Sequence, residues 1–454
     1  MRTYDVVVIG AGSAGYAAAL RSAQLGLSVT LVEQDRVGGT CLHRGCIPTK
    51  ALLHAASSAD AVQSAATLGV RAEFQGVDAA AIVDYSDQVV GRLSRGLDGL
   101  LAGAGIRVRT GRGELLEAPL GVRVGEEVLS ARSVVLATGA RPVTLGLPVD
   151  GQRILTSDHA LRLSQLPSSA TILGGGVIGV EFASAWASLG VRVRIIEAAG
   201  RLVPGEEPEV SAFLLAAFRR RGIEVVLDTP VTGAQVHGSG VRVETAASVF
   251  DSDLLLVALG RHGDPAASGR RDIAINDDLS TSIAGVYAAG DLVPGPQLAH
   301  RGYAHGGYVA ELIAHRLGVL PRPPRRPLDS AIPRVTYSSP EIVSVGLTAE
   351  QARATGEVET LSYPLGGNGK AQILAGPGPV RGQVHLVCRR GGEIVGIHIV
   401  GEHVCELAGE AALIVGWEAR PDDLSAIVHA HPTLGEAFAE AALALAGKPL
   451  HMHG

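Results

Sequence analysis

The feature that most constrains the fold is a strand, glycine turn, helix and strand at the start of the chain. An apolar run, YDVVVI, typical of a buried parallel strand, leads directly into Gly10, Gly12 and Gly15. An alanine-rich helix pattern follows, and the next apolar run ends at Glu33. Gly10 permits the turn, Gly12 lets a pyrophosphate approach the backbone, and Gly15 allows the helix to pack on the strand. Because free N–H groups at a helix start favour phosphate and Glu33 can accept hydrogen bonds from ribose hydroxyls, the pattern predicts a dinucleotide site.

The same pattern recurs in the middle of the chain, with Gly174, Gly176 and Gly179 in the turn and Glu197 at the second strand's end. In both copies the acidic residue follows the third glycine at the same spacing. This repetition favours two bound dinucleotides over two ordinary packing turns. A carboxylate at Glu197 favours a ribose 2′-OH and repels a 2′-phosphate, so NAD is predicted rather than NADP. Arg201, four residues later, is interpreted as a surface residue.

Two further apolar segments, one on either side of the second copy, predict strands that end beside a cofactor. The first ends at Thr138 and Gly139, and the other ends at Asp291. Glycine at the carboxyl edge of a parallel sheet suits close backbone contact with a ligand. We therefore expect the second dinucleotide unit to be inserted into the first domain. The predicted fold class is α/β, with two Rossmann-like dinucleotide-binding domains.

Size and composition limit the remaining possibilities. A chain of 454 residues is too long for one ordinary domain, so three or four packed units are expected. A net charge of -6 argues against nucleic acid as a partner, and the basic run over 322–326 is interpreted as a proline-rich linker. Neither a membrane-spanning apolar stretch nor a charged leader is evident, so a cytoplasmic protein without membrane contact is expected. No metal site is expected, and His451 and His453 are interpreted as parts of a frayed tail.

The segment GGTCLHRGCIPTK, which follows the first acidic strand end, contains Cys41 and Cys46. Four cysteines cannot form a disulfide scaffold in a chain of this length, and a close pair in a reducing compartment favours catalysis. A helix is predicted to begin near Lys50, and cysteines at a helix start near a cation are expected to have lowered pKa values. The alternative is that both are small buried hydrophobic residues, which is the interpretation favoured for Cys388 and Cys405.

Thiol chemistry near neutral pH needs a proton acceptor, which points to histidine. The chain has 15 histidines, so no single one is compelling alone. His431 is distinguished by Glu436, whose carboxylate could hold the imidazole tautomer and stabilise its cationic form. His429 is interpreted as structural or supporting. A cis peptide bond between His431 and Pro432 is a further hypothesis.

Together these segments resemble a known family. GGTCLHRGCIPTK resembles the redox-disulfide signature of the class I pyridine nucleotide–disulfide oxidoreductases. GGGVIGVE, PRVTYSSPEIVSVGLTAEQA, NGKAQIL and HAHPTLGEAF are most similar to the dihydrolipoamide dehydrogenases in that family. The resemblance covers essentially the whole chain and implies a homodimer with four parts in each protomer. These are an FAD domain over 1–149, an NAD domain over 150–265, a central domain over 266–325 that completes the FAD site, and an α+β dimerisation domain over 326–454.

The resemblance also implies roles for particular residues. Cys41 would be the interchange thiol, and Cys46 would face the flavin. His431, with Glu436, would be the base that reaches the other subunit's disulfide, and Lys50 would lie near the flavin and pair with Glu181. The residues expected to contact FAD are Gly10, Gly12, Gly15, Glu33, Gly39, Thr40, Lys50, Gly113, Thr138, Gly139, Asp291, Gln297, Leu298, Ala299 and His300. Those expected to contact NAD are Gly174, Gly176, Gly179, Glu197, Val231 and Gly260.

The activity that the resemblance implies is oxidation of protein-bound dihydrolipoyl groups through the Cys41–Cys46 disulfide and FAD, with hydride transfer to NAD+. The implied partner is the lipoyl domain of a 2-oxoacid dehydrogenase or glycine cleavage complex. Three places depart from the family pattern: His43-Arg44 between the cysteines, RHGDPA after Gly260, and HRGYAHGGYVAE after Ala299. Arg44 could lower the cysteine pKa values or simply face solvent, and the second interpretation is preferred.

Three alternative activities remain. An NADPH-dependent reductase of low-molecular-weight disulfides, of the glutathione or mycothiol type, shares the fold but is disfavoured by Glu197. A mercuric reductase would need a further cysteine pair near the carboxyl terminus, where the sequence reads KPLHMHG. A non-enzymatic flavoprotein is disfavoured because Cys41, Cys46, His431 and Glu436 are all present.

Overall fold

A computed structural model of the protein describes residues 3–451. His453 lies outside the described residues. The first strands are β1 (Thr3–Ile9), β2 (Val29–Glu33), β3 (Arg107–Thr110), β4 (Gly113–Glu117), β5 (Leu120–Val124), β6 (Glu127–Leu136), β7 (Ala140–Pro142), β8 (Ile154–Leu155), β9 (Ser169–Leu173), β10 (Arg192–Ile196) and β11 (Glu224–Val226). The later strands are β12 (Val231–His237), β13 (Gly240–Thr245), β14 (Val249–Ser252), β15 (Leu254–Val257), β16 (Arg261–Gly263), β17 (Val286–Ala288), β18 (Arg334–Thr336), β19 (Glu341–Gly346), β20 (Val358–Pro364), β21 (Gln383–Arg389) and β22 (Ile394–Gly401).

The helices lie between these strands. They are α1 (Ser13–Gln24), α2 (Gly39–Arg44), α3 (Cys46–Ser64), α4 (Ala79–Gly103), α5 (Ser157–Ala160), α6 (Val177–Ser188), α7 (Pro208–Arg220), α8 (Ala299–Arg316), α9 (Ala349–Arg353), α10 (Gly369–Ala375), α11 (Ala408–Gly416), α12 (Pro421–Ser425) and α13 (Glu436–Leu445). The helix predicted to begin near Lys50 therefore begins at Cys46, because Gly45 accepts its first backbone hydrogen bond.

The described chain divides into two compact units, of which the first comprises residues 3–51, 80–144 and 259–327. Its sheet has the order β3-β2-β1-β6-β5-β4, with β17 also paired to β6. Strand β1 pairs in parallel with both β2 and β6, and its apolar residues Val6, Val7 and Val8 are fully buried. This central position explains the continuous apolar run, because a parallel strand covered on both faces has no polar side.

The chain leaves this sheet and later returns to it. Strand β7 forms an antiparallel ribbon with β16, and β17 then pairs in parallel with β6. The second glycine pattern, with β8 to β15, lies in the chain between β7 and β16. The second dinucleotide unit is thus inserted within the sequence that builds the first sheet.

The second unit comprises residues 52–79, 145–258 and 328–451 and contains two sheets of five strands. One is parallel, with the order β11-β10-β9-β15-β8, and carries the second glycine turn after β9. The other is antiparallel, with the order β18-β19-β22-β21-β20, and helices α11 and α13 pack against it. Buried Phe438 and Ile397 belong to the core of this second sheet. The observed α/β architecture with a carboxyl-terminal α+β part confirms the predicted fold class, whereas the four domain boundaries stay a prediction.

Candidate active site

The first glycine turn, residues 10–15, joins β1 to α1. Gly10 has a φ of +97°, and a Cβ on Gly15 would lie 1.7 Å from the Gly10 carbonyl oxygen, so neither position accepts a larger residue. The carboxylate of Glu33 accepts a hydrogen bond of 2.6 Å from the Ala11 amide. A carboxylate has further lone pairs, so this bond orients Glu33 towards the turn and leaves acceptor capacity for ribose hydroxyls.

The second glycine turn, residues 174–179, repeats this geometry between β9 and α6. Gly174 has a φ of +100°, and a Cβ on Gly179 would lie 1.9 Å from the Gly174 carbonyl oxygen. Glu197 accepts a hydrogen bond of 2.5 Å from the Gly175 amide and another of 2.7 Å from Ala199. The two turns therefore present the same cradle, a glycine backbone at a helix start with a carboxylate at the neighbouring strand end.

The two cysteines of the redox segment lie on consecutive helices. Cys41 is within α2 and Cys46 is the first residue of α3, and their side chains are hydrogen-bonded as a dithiol. The hydrogen bond with Cys46, together with burial and the charge of Cys46, raises the pKa of Cys41 well above its ordinary value. The Lys50 ammonium and the Cys46 amide act in the opposite direction. The expectation of a lowered pKa is therefore wrong for Cys41 in the dithiol, because the neighbouring thiol and burial outweigh the nearby cation.

The residues between the cysteines have their own partners. The Arg44 guanidinium is 2.8 Å from the Asp35 carboxylate, and the cation that lowers the pKa of Cys41 is Lys50 instead. His43 is buried, and its Nε2 is 2.8 Å from the Val37 carbonyl oxygen. These contacts agree with the interpretation that Arg44 does not tune the cysteines.

Gly39 and Thr40 start α2, directly before Cys41. Gly39 has a φ of +58°, and a Cβ there would lie 2.7 Å from the Gly12 Cα atom. The redox segment therefore packs directly on the first glycine turn. Contact this close between two glycine backbones positions Cys41 beside the start of α1.

Several residues expected at the FAD site lie at the carboxyl ends of β6 and β17. The Thr138 hydroxyl donates a hydrogen bond to the Asp264 carbonyl oxygen, and a Cβ on Gly139 would meet no atom within 4 Å. Burial raises the pKa of Asp291, and the charges of Arg261 and Arg301 partly offset this. Among the described residues, no group donates a hydrogen bond to the Asp291 carboxylate. A partly buried acceptor of this kind fits a ligand hydroxyl group.

The remaining expected FAD contacts are distributed around the same sheet. Gln297 and Leu298 precede α8, whose first residues are Ala299 and His300. Gly113 starts β4 and is buried, and a Cβ there would come within 3.1 Å of side chains from both β1 and β2. The structure thus gives Gly113 a packing role as well, in which a larger residue would displace the core.

Two residues expected to contact NAD occupy strand ends. Val231 is the first residue of β12 in the second unit, and it is partly buried. Gly260 directly precedes β16 in the first unit, has a φ of +92°, and faces open space where its Cβ would be. Their contact with NAD stays a prediction.

His431 and Glu436 form the histidine–carboxylate pair that their spacing predicts. The Nδ1 atom of His431 is 2.9 Å from Oε1 of Glu436, and the His431 side chain is 76% exposed. Burial would raise the pKa of Glu436, but the Thr433 amide and the His431 ring outweigh it and hold that pKa below its usual value. The ionised carboxylate therefore fixes Nδ1 as the protonated nitrogen and leaves Nε2 free to accept a proton.

The loop that carries His431 is held by residues that the sequence analysis did not single out. The peptide bond between His431 and Pro432 is cis, as hypothesised. Asn368 is buried, donates from its side-chain nitrogen to the Thr433 carbonyl oxygen at 2.9 Å, and caps α10 with its side-chain oxygen. His429 pairs with Glu410 at 2.7 Å, which agrees with a supporting role. Asn368 begins the segment NGKAQIL, whose resemblance to the family does not indicate the contact between Asn368 and Thr433.

Other predicted residues have different surroundings. Glu181 is buried, and its carboxylate accepts a hydrogen bond of 2.9 Å from the Tyr337 amide, while its pairing with Lys50 stays a prediction. Cys388 and Cys405 are buried, as expected. His451 is held by two contacts with Glu440 and is not part of a frayed tail.

Within residues 3–451, no group of three or more metal-binding side chains is close enough to hold an ion. In the same part of the chain, no helix combines the length and the apolar character that a membrane crossing requires.

Comparison with known proteins agrees with this geometry. A family model described as pyridine nucleotide-disulphide oxidoreductase matches residues 4–306, and that family's dimerisation domain matches residues 332–442. The chain therefore belongs to the pyridine nucleotide-disulphide oxidoreductases, as the motifs predicted. The dimerisation domain supports a homodimer.

Individual proteins of this family are similar to the chain over almost its whole length. The chain is 36% identical to the dihydrolipoyl dehydrogenase of Bacillus subtilis over 479 aligned positions, which cover 99% of each chain. The crystal structure of LpdA from Mycobacterium tuberculosis matches with a TM-score of 0.87 and 25% identity, over 98% of this chain and 100% of that one. The HOCl-induced flavoprotein disulfide reductase RclA from Escherichia coli matches with a TM-score of 0.81 and 25% identity, over 97% of this chain and 99% of that one. The protein is thus an oxidoreductase that uses FAD and NAD.

Proposed function

We propose that this chain oxidises protein-bound dihydrolipoyl groups and reduces NAD+, the reaction of a dihydrolipoyl dehydrogenase. The observation that carries the proposal is the hydrogen-bonded Cys41–Cys46 dithiol, whose segment packs on the first glycine turn through Gly39 and Gly12. The relative of that name from Bacillus subtilis, alike over 99% of each chain, supports the same activity. The carboxylate of Glu197 supports NAD over NADP as the acceptor.

FAD fits the first turn and NAD the second. The first turn offers a glycine backbone, the helix start and Glu33, and Asp291 offers a partly buried carboxylate that lacks a donor. The second turn offers the same cradle with Glu197. When bound there, FAD would supply the two-electron redox chemistry that links the Cys41–Cys46 dithiol to NAD+.

His431 moves the proton in this proposal. Its Nε2 accepts the proton of a dihydrolipoyl thiol, while Glu436 holds Nδ1–H and stabilises the imidazolium that forms. The exposure of His431 leaves room for a substrate that arrives on another protein. Through the homodimer, His431 would serve the other subunit's dithiol.

The thiol exchange then takes place in two steps. The substrate thiolate attacks the sulfur of Cys41, which forms a mixed disulfide and breaks the Cys41–Cys46 bond. Cys46 leaves as a thiolate at the first turn of α3, where the helix dipole favours negative charge. The second lipoyl thiol attacks the sulfur bound to Cys41, closes the lipoyl disulfide and leaves both cysteines reduced.

The lipoyl domain of a 2-oxoacid dehydrogenase or glycine cleavage complex is the proposed partner, and the cytoplasm is the proposed location. Within residues 3–451 neither Cys388 nor Cys405 forms a disulfide, which is consistent with a reducing compartment. Co-purification with lipoylated proteins from the soluble cell fraction would test both points, and recovery in a secreted fraction would contradict them.

The decisive experiment is NAD+ reduction with dihydrolipoamide, measured beside NADP+ and beside NADPH with low-molecular-weight disulfides. Fast NADH formation with little NADP+ activity is expected. Cys41→Ser should abolish lipoamide turnover while retaining bound flavin, and Cys388→Ala serves as a control because Cys388 is a buried residue of β21 and not part of the redox segment.

Two outcomes would contradict the proposal. Full lipoamide turnover by Cys41→Ser would exclude the thiol exchange described above. Activity only with NADPH and a small disulfide would retain the fold and reassign the chain as a disulfide reductase, the class to which RclA belongs by name.

A further inference from the structure

A cavity of about 320 Å³ lies within the second unit. Its walls are α7, α10 and the loops at one end of the antiparallel strands β19 to β22. None of the residues that line it belongs to a glycine turn or to the redox segment. A volume of this size is enough for a small molecule, so the cavity is a candidate site for a ligand other than FAD and NAD.

Much of the cavity wall is apolar. On α7, Phe213 and Ala217 are one helical turn apart and therefore share a face, and the same spacing relates Ala371 and Ala375 on α10. Leu365, which belongs to the core of the antiparallel sheet, adds a third apolar surface. These walls suit the organic body of a ligand rather than a bare ion.

Two arginines from different elements line the same cavity. Arg220 is the last residue of α7, and Arg381 lies in the loop before β21. Desolvation and the charge of Arg381 lower the pKa of Arg220, as expected for two guanidinium groups that repel each other. An anion bound between them would relieve this repulsion.

The protein supplies no counter-charge for this pair. In the described part of the chain, neither Arg220 nor Arg381 has an ion pair or a hydrogen bond through its side chain. The neighbouring Arg221 differs, because its guanidinium donates to the Ser188 hydroxyl at 2.6 Å. Glu402 also lines the cavity, but it is not paired with either arginine. The positive charge of the cavity is therefore available to a ligand.

The backbone beside each arginine is fixed by packing. Gly382 follows the second arginine and lies so close to β22 that a Cβ would be 2.6 Å from the Val400 carbonyl oxygen. Arg221 follows the first arginine, and its guanidinium donates to the Ser339 carbonyl oxygen at 3.0 Å. Because both attachment points are held, less order has to be created when the two side chains meet one ligand.

We propose that this cavity is a further small-molecule site, which binds an organic phosphate monoester. Arg220 and Arg381 hold the phosphate head, and the apolar walls on α7 and α10 contact the organic body. A phosphate monoester is mostly dianionic at pH 7 and accepts the paired hydrogen bonds that guanidinium groups donate. A carboxylate, with one negative charge, would leave one of the two positive charges uncompensated.

The test is calorimetric titration of the flavin-loaded homodimer with phenyl phosphate, in saturating NAD+ so that both dinucleotide sites are filled. Phenyl phosphate should bind once per chain and about tenfold more tightly than inorganic phosphate, because its ring buries apolar surface. It should also bind about tenfold more tightly than benzoate, which has the ring but only one negative charge.

Variants locate the binding in the cavity. Arg220→Ala and Arg381→Ala should each weaken phenyl phosphate binding about tenfold, the expected loss for one charged hydrogen-bond donor. Arg219→Ala is the matched control, because Arg219 is an exposed arginine next to Arg220 on α7 but does not line the cavity. Its affinity should equal that of the parent protein. Ala375→Leu narrows the cavity and should weaken phenyl phosphate more than inorganic phosphate.

Three results would overturn the proposal. If the parent protein shows no saturable binding of phenyl phosphate, the cavity is not a site for this class of ligand. Equal weakening in Arg219→Ala and Arg220→Ala would attribute the binding to general surface charge. Benzoate that binds as tightly as phenyl phosphate would exclude recognition of a dianionic head. None of these results bears on the proposed NAD+ reduction, which is measured separately.

Discussion

The first and second glycine turns share the same backbone contacts but differ in what lies over them. In both turns the third glycine lies so close to the carbonyl group of the first that a side chain would not fit. In both, a carboxylate also accepts a hydrogen bond from a backbone amide of the turn. At the middle glycine the turns diverge. A Cβ on Gly12 would meet the Cα atom of Gly39 from the redox segment, whereas one on Gly176 would meet nothing within 4 Å.

If FAD binds the first turn and NAD the second, as proposed, this difference distinguishes a cofactor that stays bound from one that exchanges. The covered turn suits FAD, which stays bound, because the redox segment that closes over it also supplies the thiols. The open turn suits NAD, which must enter and leave in each catalytic cycle. Under this proposal the glycine motif is the same in both turns, and the segment packed against the turn determines which cofactor binds there.

The largest expected effect comes from the third glycines. Gly15→Ala would place a Cβ 1.7 Å from a carbonyl oxygen, and Gly179→Ala would place one at 1.9 Å. Each should destabilise its own unit by about 3 kcal/mol, the upper range for overpacking. Gly15→Ala should yield flavin-free protein, and Gly179→Ala should retain flavin but lose NAD+ reduction, as measured by absorbance and steady-state assays.

A control for these variants is Gly96→Ala in α4, where a Cβ would meet nothing and alanine favours the helix. Equal flavin loss in Gly15→Ala and Gly179→Ala would break the assignment of one cofactor to each turn.

The next largest effect is expected where the redox segment meets the middle glycine of the first turn. In Gly39→Ala the new methyl group should clash with Gly12 and weaken the packing of the redox segment on the turn by on the order of 1–2 kcal/mol. Flavin release should therefore become about tenfold faster. Gly176→Ala should leave flavin release unchanged and raise the KM for NAD+, since only the approaching pyrophosphate meets the new methyl group. Flavin release into apoflavodoxin or filtrate measures the first, and initial rates measure the second. Faster flavin release in Gly176→Ala would contradict the proposed difference between the two turns.

The carboxylates should separate the cofactors by specificity. Glu197→Gln removes the charge that repels a 2′-phosphate, so the preference for NAD+ over NADP+ should fall about tenfold, which corresponds to roughly 1.4 kcal/mol. Glu33→Gln should leave that preference unchanged and weaken flavin retention. Ratios of kcat/KM for the two nucleotides measure the effect, and a shift of the ratio in Glu33→Gln would be the contrary result.

The smallest effect concerns Asp291, which belongs to the first unit alone. Its folded pKa is raised by burial, so its contribution to the stability of flavin-free protein is present below pH 3.8 and is lost as pH rises through the folded pKa. Asp291→Asn should therefore stabilise flavin-free protein by about 1 kcal/mol at pH 7, and the gain should vanish in acid. With flavin bound, the sign should reverse because the carboxylate gains a donor. Thermal melts at several pH values measure this, and a pH-independent gain would contradict the cause.

The sequence predicts the two dinucleotide turns, the buried strands and the redox segment, because each is encoded by a local pattern with one physical cause. Helix α1 and the strands β1 and β2 lie where their patterns predicted them. The pKa direction of Cys41 was not readable, because it depends on a hydrogen bond that spacing along the chain does not reveal. Contacts between distant segments, such as Asn368 with Thr433 or Tyr16 with Tyr303, carry no sequence pattern at all.

The insertion of the second unit between β7 and β16 bears on how the protein is made. Strand β17 and helix α8, which complete the first sheet and its packing, leave the ribosome only after the whole inserted segment. During synthesis the β6 residues that later pair with β17, Val134 to Leu136, therefore lack that partner while the inserted segment is made. Flavin capture becomes a late event in biosynthesis, so cells short of flavin would accumulate full-length chains rather than stalled fragments.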